Sequence, residues 1–188
     1  MYYIFLHNDQ DMIEHNVFSD PKLDSLKKIY CEMKKSIAEK LEKNVREQGL
    51  VFSYRLSDAW NREIISLEVV KSGNTPKLKT ALNKIAFNKT DEKNITDADS
   101  ELCRSLISTV KKYSPVFQQE GFFIDDPNVY DGFICKIILS DGENVFYFDI
   151  SNITYCVSSG ADALKRLMNE IFVLLKEAGV EEKYLILK

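Results

Sequence analysis

The sequence reads FICKIILSDGENVFYFDI from Phe133 to Ile150, and this stretch decides the fold. Two apolar and aromatic runs, 133–139 and 145–150, flank Asp141-Gly142. An Asp-Gly pair between two such runs is typical of a tight β-hairpin turn, because glycine accepts the positive φ that the turn requires. The stretch therefore predicts two antiparallel strands.

A helix is predicted directly after this hairpin. Ser159-Gly160-Ala161-Asp162 has the form of a capping box, in which a hydroxyl and a carboxylate satisfy the first free N–H groups of a helix. Apolar residues then recur at helical spacing until Gly179, which ends the helix. The apolar run 184–187 predicts one last strand.

Upstream of the hairpin, the chain alternates between strand and helix patterns. Runs 51–56 and 64–70 predict a second hairpin, and Thr96-x-x-Asp99 predicts a helix that ends near Pro115. Pro76 is expected to open a short helix that continues to about Phe87. The segment 121–132 is expected to hold a short strand followed by a turn.

The amino-terminal part predicts a strand and a long helix. Residues 2–6 are apolar throughout, as in a strand buried on both faces. Ser19-Asp20-Pro21 is a helix start, and apolar residues at three- and four-residue steps then continue to Gln48, before Gly49. The fold class is therefore α+β: a mixed, largely antiparallel sheet with one long N-terminal helix and a C-terminal helix packed on it. We expect one domain over 1–188, with a possible sub-division near 88–96.

Composition indicates an ordinary globular chain. It has 188 residues, 45% of them hydrophobic and 29% charged, and its aromatic residues, including Trp60, suffice to fill one core. No run of 18 apolar residues and no signal peptide is recognised, so the expected compartment is the cytoplasm. Cys31, Cys103, Cys135 and Cys156 are too widely spaced for a zinc motif, and no phosphate- or dinucleotide-binding loop is present, so we expect no cofactor.

A metal site is one hypothesis for the amino-terminal loop. Both histidines of the chain lie there among three acids, and together they could offer imidazole and carboxylate ligands to a divalent ion. These residues are His7, Asp9, Asp11, Glu14 and His15. A polar loop without metal explains the same residues.

A nucleic-acid contact is another hypothesis, for the lysine-rich window 69–90. This window contains no acid, and ammonium groups on one surface attract phosphates. The lysines are Lys71, Lys77, Lys79, Lys84 and Lys89. The window also has no arginine and only one aromatic residue, so an ordinary solvated face is the simpler interpretation and a nucleic-acid partner is not expected.

A protein interface is the hypothesis for the acidic carboxy-terminal part. Residues 120–188 carry twelve acids and six bases, within a chain of net charge −4. Carboxylates beside aromatic side chains suit a basic protein partner, because charge accelerates the encounter and buried rings supply affinity. The candidate residues are Asp125, Asp126, Asp131, Asp141, Glu143, Tyr147 and Asp149.

These patterns favour a non-enzymatic, cytoplasmic binding protein that inhibits a partner macromolecule by occlusion. Bacterial immunity proteins, antitoxins and anti-defence proteins act in this way, and a basic toxin or effector is the expected kind of partner. A metal-dependent enzyme that uses the His7–His15 loop is the alternative, and a nucleic-acid accessory protein that uses the 69–90 window is the second alternative. No membrane partner is expected.

Overall fold

A computed structural model describes most of the chain. The described residues are 2–5, 36, 39–60, 62–71, 75–84, 89–125 and 132–188. They form one α+β domain, in which a seven-stranded sheet carries three helices. The prediction of a mixed, largely antiparallel sheet is confirmed.

The sheet has the strand order β1-β7-β6-β2-β3-β4-β5. Six strands are antiparallel to their neighbours, and β1 pairs in parallel with β7 at one edge. The strands are β1 (Tyr2–Phe5), β2 (Leu50–Asp58), β3 (Glu63–Val70), β4 (Lys77–Lys84), β5 (Lys89–Asp97), β6 (Phe133–Ser140) and β7 (Val145–Ser151).

Both predicted hairpins are confirmed. In the deciding stretch, β6 and β7 pair from Ile134 opposite Ser151 to Ser140 opposite Val145. Gly142 takes a φ of 93° in the turn, as an Asp-Gly hairpin requires. Because side chains alternate along a strand, one face of the hairpin is apolar and buried, and it presents Ile137 and Phe148 to the main core.

Two helices cover this apolar face. Helix α2 (Ser100–Phe117) and helix α3 (Ser159–Glu177) contact each other and bury their apolar stripes against the strands. Phe117, at the end of α2, packs edge-on against Phe146 and Phe148 at centroid distances of 5.4 and 5.2 Å. The predicted packing of the C-terminal helix on the sheet is therefore confirmed.

Helix α1 (residues 39–48) lies on the opposite face of the sheet. Its Val45 is buried with Leu50, Val70 and Val145 in a second, smaller cluster. The described helix is short rather than long; residues 21–35 and 37–38 of the predicted helix lie outside the described residues. Its predicted end is confirmed: Gly49 has a φ of 64°, and a Cβ there would lie 2.2 Å from the Lys71 carbonyl oxygen.

The helix predicted from Pro76 is wrong, because residues 77–84 form strand β4. Leu78 and Thr80 are buried on one face, while Lys77 and Lys79 alternate with them on the other. This two-residue period is a strand pattern, and Pro76 stands before the strand, where no ladder hydrogen bond is lost. The following strand, β5, pairs with β4 in the same sheet. The sub-division near 88–96 stays a prediction.

Several other predicted boundaries differ from the structure, and α3 is capped by Ser158 rather than by the predicted Ser159. Helix α2 begins at Ser100 with Asp99 as its cap, not at Thr96, and it continues past Pro115. The predicted last strand is instead a 3₁₀ turn at Glu182–Tyr184, followed by irregular chain. No strand forms over 122–125, and 126–131 lies outside the described residues. The strand predicted over 2–6 is confirmed as β1 (Tyr2–Phe5), which lies at one edge of the sheet.

Candidate interaction surface

The end of β2, the start of β6 and the end of β7 lie side by side at one end of the sheet. Asp58 is opposite Phe133 in β2 and β6, and Ile134 is opposite Ser151 in β6 and β7. Asn152 then joins the strands, since its backbone N–H donates to the Phe133 carbonyl oxygen and its side-chain oxygen accepts from the Phe133 N–H. Neighbouring strands lie about 4.8 Å apart, so the loops that leave this end are close together.

Large apolar side chains are exposed at this end. Trp60 is 78% exposed, Tyr155 65%, Val157 82% and Phe123 56%. Among the described residues, only Ile95, Val173 and Ile186 are other large hydrophobic residues with comparable exposure. We call Trp60, Phe123, Tyr155 and Val157 the apolar end.

The turn that carries Trp60 is fixed by Asp58. The Asp58 carboxylate accepts hydrogen bonds from the backbone N–H groups of Trp60 and Arg62, at 3.0 and 2.9 Å, and from the Arg62 guanidinium at 2.7 Å. Desolvation opposes ionisation of Asp58, but these hydrogen bonds hold its pKa below the ordinary value. Trp60 was expected to fill the core; instead it projects into solvent from an ordered turn.

Asp125 fixes the other half of the apolar end. Its carboxylate accepts from the Val157 N–H at 2.8 and 3.0 Å and from the Ser158 N–H at 2.7 Å. Burial acts to raise its pKa, but these hydrogen bonds prevail and lower the pKa to about 2. Ser158 also caps α3 by accepting from the Ala161 N–H at 3.2 Å. Asp125 therefore holds the Phe123 segment against the start of α3.

Beside Phe123 runs a shallow groove of about 270 Å³ between the end of α2 and the start of α3. Tyr113, Phe122 and Ala163 contribute to its lining, and Arg166 stands among them. A Cβ at Gly160 would lie 2.1 Å from the Phe123 carbonyl oxygen, so only glycine permits this close approach. The groove is smaller than ordinary small-molecule pockets, which span roughly 300–1,000 Å³, and its size suits a single side chain of a partner.

Replacing Asp125 with asparagine tests the role of this carboxylate. Its folded-state pKa is depressed, so its contribution to stability is present above pH ~4 and is lost as the pH falls toward about 2. Hydrogen bonds to a charged group contribute about 1.5–3 kcal/mol, so we expect Asp125→Asn to lose about 1–3 kcal/mol at pH 7 and less at pH 2.5. Urea unfolding of both proteins at the two pH values measures the difference. An equal loss at both would contradict this role.

The acidic candidates of the sequence do not converge. Asp141 and Glu143 lie in the β6–β7 turn, at the opposite end of the strands from the apolar end. Asp141 is buried and accepts hydrogen bonds from the Ser114 hydroxyl at 2.6 Å and from the Asn144 N–H at 2.6 Å, while Glu143 pairs with Lys111. Among the members of this set that the structure describes, only Asp125 is at the apolar end. Asp126 and Asp131 lie outside the described residues.

Tyr147 and Asp149 lie on the polar face of the sheet, opposite α2 and α3. The Tyr147 hydroxyl donates to Asp149 at 3.2 Å, and Asp149 also lies 3.8 Å from the Lys136 ammonium group. On the same face Arg55 donates to Glu68 at 2.9 Å. Acids and bases alternate here, so the described part of this face is not a patch of one charge sign.

The lysine window is partly neutralised in the structure. Lys77 pairs with Asp97, and Lys79 lies 3.6 Å from Glu68. Lys71 is exposed at the end of β3. Lys84 and Lys89 are opposite each other in the β4–β5 ladder, and their side chains lie outside the described residues. Lys77 and Lys79 thus form cross-strand ion pairs, which stabilise a sheet by fractions of a kcal/mol.

The proposed metal loop is not described. His7, Asp9, Asp11, Glu14 and His15 all lie outside the described residues. Within the described ranges, no three His, Cys, Asp or Glu side chains are grouped as a metal site would require. Cys103, Cys135 and Cys156 are buried thiols that form no disulfide with one another, and burial raises the pKa of the Cys103 and Cys135 thiols.

Sequence reasoning missed the apolar end because its residues belong to separate segments. One local signal was available: Trp60 stands in the middle of the predicted β2–β3 turn, where a side chain points away from both strands. A second signal was Val157, directly before the cap of α3. Phe123 lies close to Val157 because the Asp125 carboxylate accepts hydrogen bonds from residues more than 30 positions away. No sequence pattern predicts these contacts.

Comparisons with known proteins add no family. None of the helices that the structure describes is long and apolar enough to cross a membrane. No protein-family model matches the chain, and a search of curated proteins returns no similar sequence.

Proposed function

We propose that this chain is a non-enzymatic binding protein that inhibits a partner macromolecule by covering it, as immunity proteins and antitoxins do. The observation that carries the proposal is the apolar end: Trp60, Phe123, Tyr155 and Val157 are exposed at one end of the sheet. Asp58 and Asp125 hold the loops that present them. Ordered, exposed aromatic side chains bind at low entropic cost, and Trp and Tyr dominate the energetics of protein interfaces.

The size of the exposed surface supports this use. An aromatic side chain offers roughly 150–250 Å². The exposed fractions of Trp60, Phe123 and Tyr155 therefore leave on the order of 300–500 Å² of aromatic surface in solvent. A standard interface takes about 800 Å² from each partner, so the partner also contacts the polar groups around the apolar end.

The charge of the chain supports a basic partner. The net charge is −4, and residues 120–188, which supply three of the four residues of the apolar end, carry twelve acids and six bases. An acidic protein attracts a basic one over a Debye length of about 8–10 Å, which accelerates association at low salt. A basic toxin or effector that acts on nucleic acid fits this description.

A capture experiment with matched surface variants tests the proposal. The tagged chain and its Val157→Ser, Tyr155→Ser and Ile95→Ser variants are incubated with lysate of the native host at low salt, and bound proteins are identified by mass spectrometry. We expect a basic protein to be retained by the wild type and by Ile95→Ser, whose residue is 58% exposed on β5. The two apolar-end variants should lose it, and the captured protein should lose its activity when the wild-type chain is added.

Equal retention by all four proteins would contradict a role for the apolar end. Retention that depends on the apolar end, with the activity of the captured protein unchanged, would contradict inhibition by occlusion.

A further inference from the structure

The last residues of the chain cross the buried face of the sheet without joining it. After the 3₁₀ turn at Glu182–Tyr184, residues 185–188 have no regular secondary structure and no ladder partner among the described strands. Leu185 and Leu187 pack against the main core, whereas Ile186 is 37% exposed. We call residues 185–188 the C-terminal strap.

Two buried side chains hold the strap through its carbonyl groups. The Tyr54 hydroxyl donates to the Ile186 carbonyl oxygen at 2.6 Å, and the Cys135 thiol donates to the Lys188 carbonyl oxygen at 3.2 Å. Tyr54 and Cys135 are both fully buried and lie 3.7 Å apart, hydroxyl oxygen to sulfur. The strap therefore accepts hydrogen bonds from two polar groups in the core, which also contact each other.

The strap is attached far more weakly than the elements around it. The strap is held by the hydrogen bonds from Tyr54 and Cys135, by the packing of two half-buried leucines and by the Lys188 ammonium group, 5.7 Å from the Phe133 ring centroid. The Leu185 N–H also donates to the Glu182 carbonyl oxygen. By contrast, β2 and β6 are held by a continuous antiparallel ladder from Phe52 to Asp58. Segments with few buried contacts and no ladder open at a small fraction of the global unfolding free energy.

We propose that the C-terminal strap is a detachable cover, which opens while the sheet and helices stay folded and thereby exposes Cys135 and Tyr54 to solvent. This inference is independent of the proposed partner. On opening, the Tyr54 hydroxyl and the Cys135 thiol exchange their hydrogen bonds to the strap for hydrogen bonds to water. The helices stay packed on the sheet. Cys135 is the natural reporter, since its thiol is alkylated only when the strap has moved away.

Alkylation of the folded wild-type chain by iodoacetamide, followed by peptide mass spectrometry, measures opening at each cysteine. Cys103 is an internal control, because it lies on the buried face of α2 and is distant from the strap in the chain. In the absence of urea, we expect Cys135 to be labelled at least tenfold faster than Cys103. We also expect the labelling rate of Cys135 to change little between zero and low urea concentrations. Local opening exposes little surface, so it depends weakly on urea. Global unfolding exposes much more surface, so it becomes steeply more favourable as urea is added.

Two variants sharpen the test. Tyr54→Phe removes the hydrogen bond to Ile186 and should accelerate labelling of Cys135 about 2- to 10-fold. Tyr113→Phe is the matched control: it removes a hydrogen bond to Glu170 between α2 and α3, and it should leave the rate at Cys135 unchanged at low urea. The proposal is overturned if Cys135 and Cys103 are labelled with the same urea dependence as global unfolding. It is also overturned if the two tyrosine variants affect Cys135 equally.

Discussion

Replacing Trp60 with alanine is expected to weaken binding to the captured partner at least about 30-fold, while the free energy of unfolding changes by less than about 0.5 kcal/mol. The side chain is 78% exposed and fills no cavity, so its loss costs the fold little. At an interface, a central tryptophan typically contributes 2 kcal/mol or more, and ~1.4 kcal/mol corresponds to a tenfold change in affinity.

Calorimetric titration with the partner and urea unfolding of the free chain measure the two quantities. Ile95→Ala is the control, since Ile95 is also a large exposed apolar residue but lies on β5, away from the apolar end. We expect its affinity to remain within threefold of the wild type. Equal affinities for Trp60→Ala and the wild type would show that the partner does not contact this turn.

Replacing Phe117 with alanine is expected to lower the free energy of unfolding by about 3–5 kcal/mol. Phe117 is 2% exposed and meets the rings of Phe122, Phe146 and Phe148 at centroid distances of 5.2–5.5 Å. Truncating a buried phenylalanine removes its transfer free energy and leaves a cavity. Small domains are stable by only about 5–15 kcal/mol, so this single change removes a large fraction of the total.

Urea unfolding followed by circular dichroism measures the loss. Phe117→Leu keeps most of the volume and should cost less than about 2 kcal/mol, and Val173→Ala, on the exposed side of α3, should cost less than about 0.5 kcal/mol. A loss below 1 kcal/mol for Phe117→Ala would mean that α2 is not anchored on β7 in this way.

The parts of the fold that sequence analysis predicted correctly are those set by local patterns. Asp141-Gly142 fixes the turn of the β6–β7 hairpin, and apolar alternation on both sides fixes its strands. Helix α3 was also clear, because its apolar stripe and its terminal Gly179 lie within one continuous stretch, although its cap is Ser158 and not the predicted Ser159. In each case the residues that make the structure are neighbours in sequence.

The errors arose where a local signal competed with a long-range one. Pro76 resembles a helix start, yet the alternation of Leu78 and Thr80 with lysines follows a strand period, and pairing with β3 decides the outcome. Thr96 resembles a cap, but it belongs to β5, and Asp99 caps α2 instead. Propensity is a weak prior that tertiary pairing overrides.

The candidate interface was harder to predict than the fold, because the sequence does not show which hydrogen-bond donors a carboxylate will meet in the folded chain. Asp125 binds N–H groups 32 and 33 residues away, and Asp141 binds a hydroxyl 27 residues away. Both acids were predicted to face a partner, which stays a prediction; in the structure their carboxylates accept hydrogen bonds within the chain. The exposed residues of the apolar end became visible only once the chain was folded.

The most direct test of the proposed interface uses the fluorescence of Trp60, the only tryptophan in the chain. Because its ring is 78% exposed, the emission maximum of the free folded protein should lie close to that of the urea-unfolded protein. The chain is titrated with the partner, and where the partner contains tryptophan its own emission, measured separately at the same excitation wavelength, is subtracted. The emission maximum of Trp60 should move to shorter wavelength and saturate with the binding isotherm. Binding that is complete by calorimetry but leaves the emission of Trp60 unchanged would contradict the claim that the apolar end meets the partner.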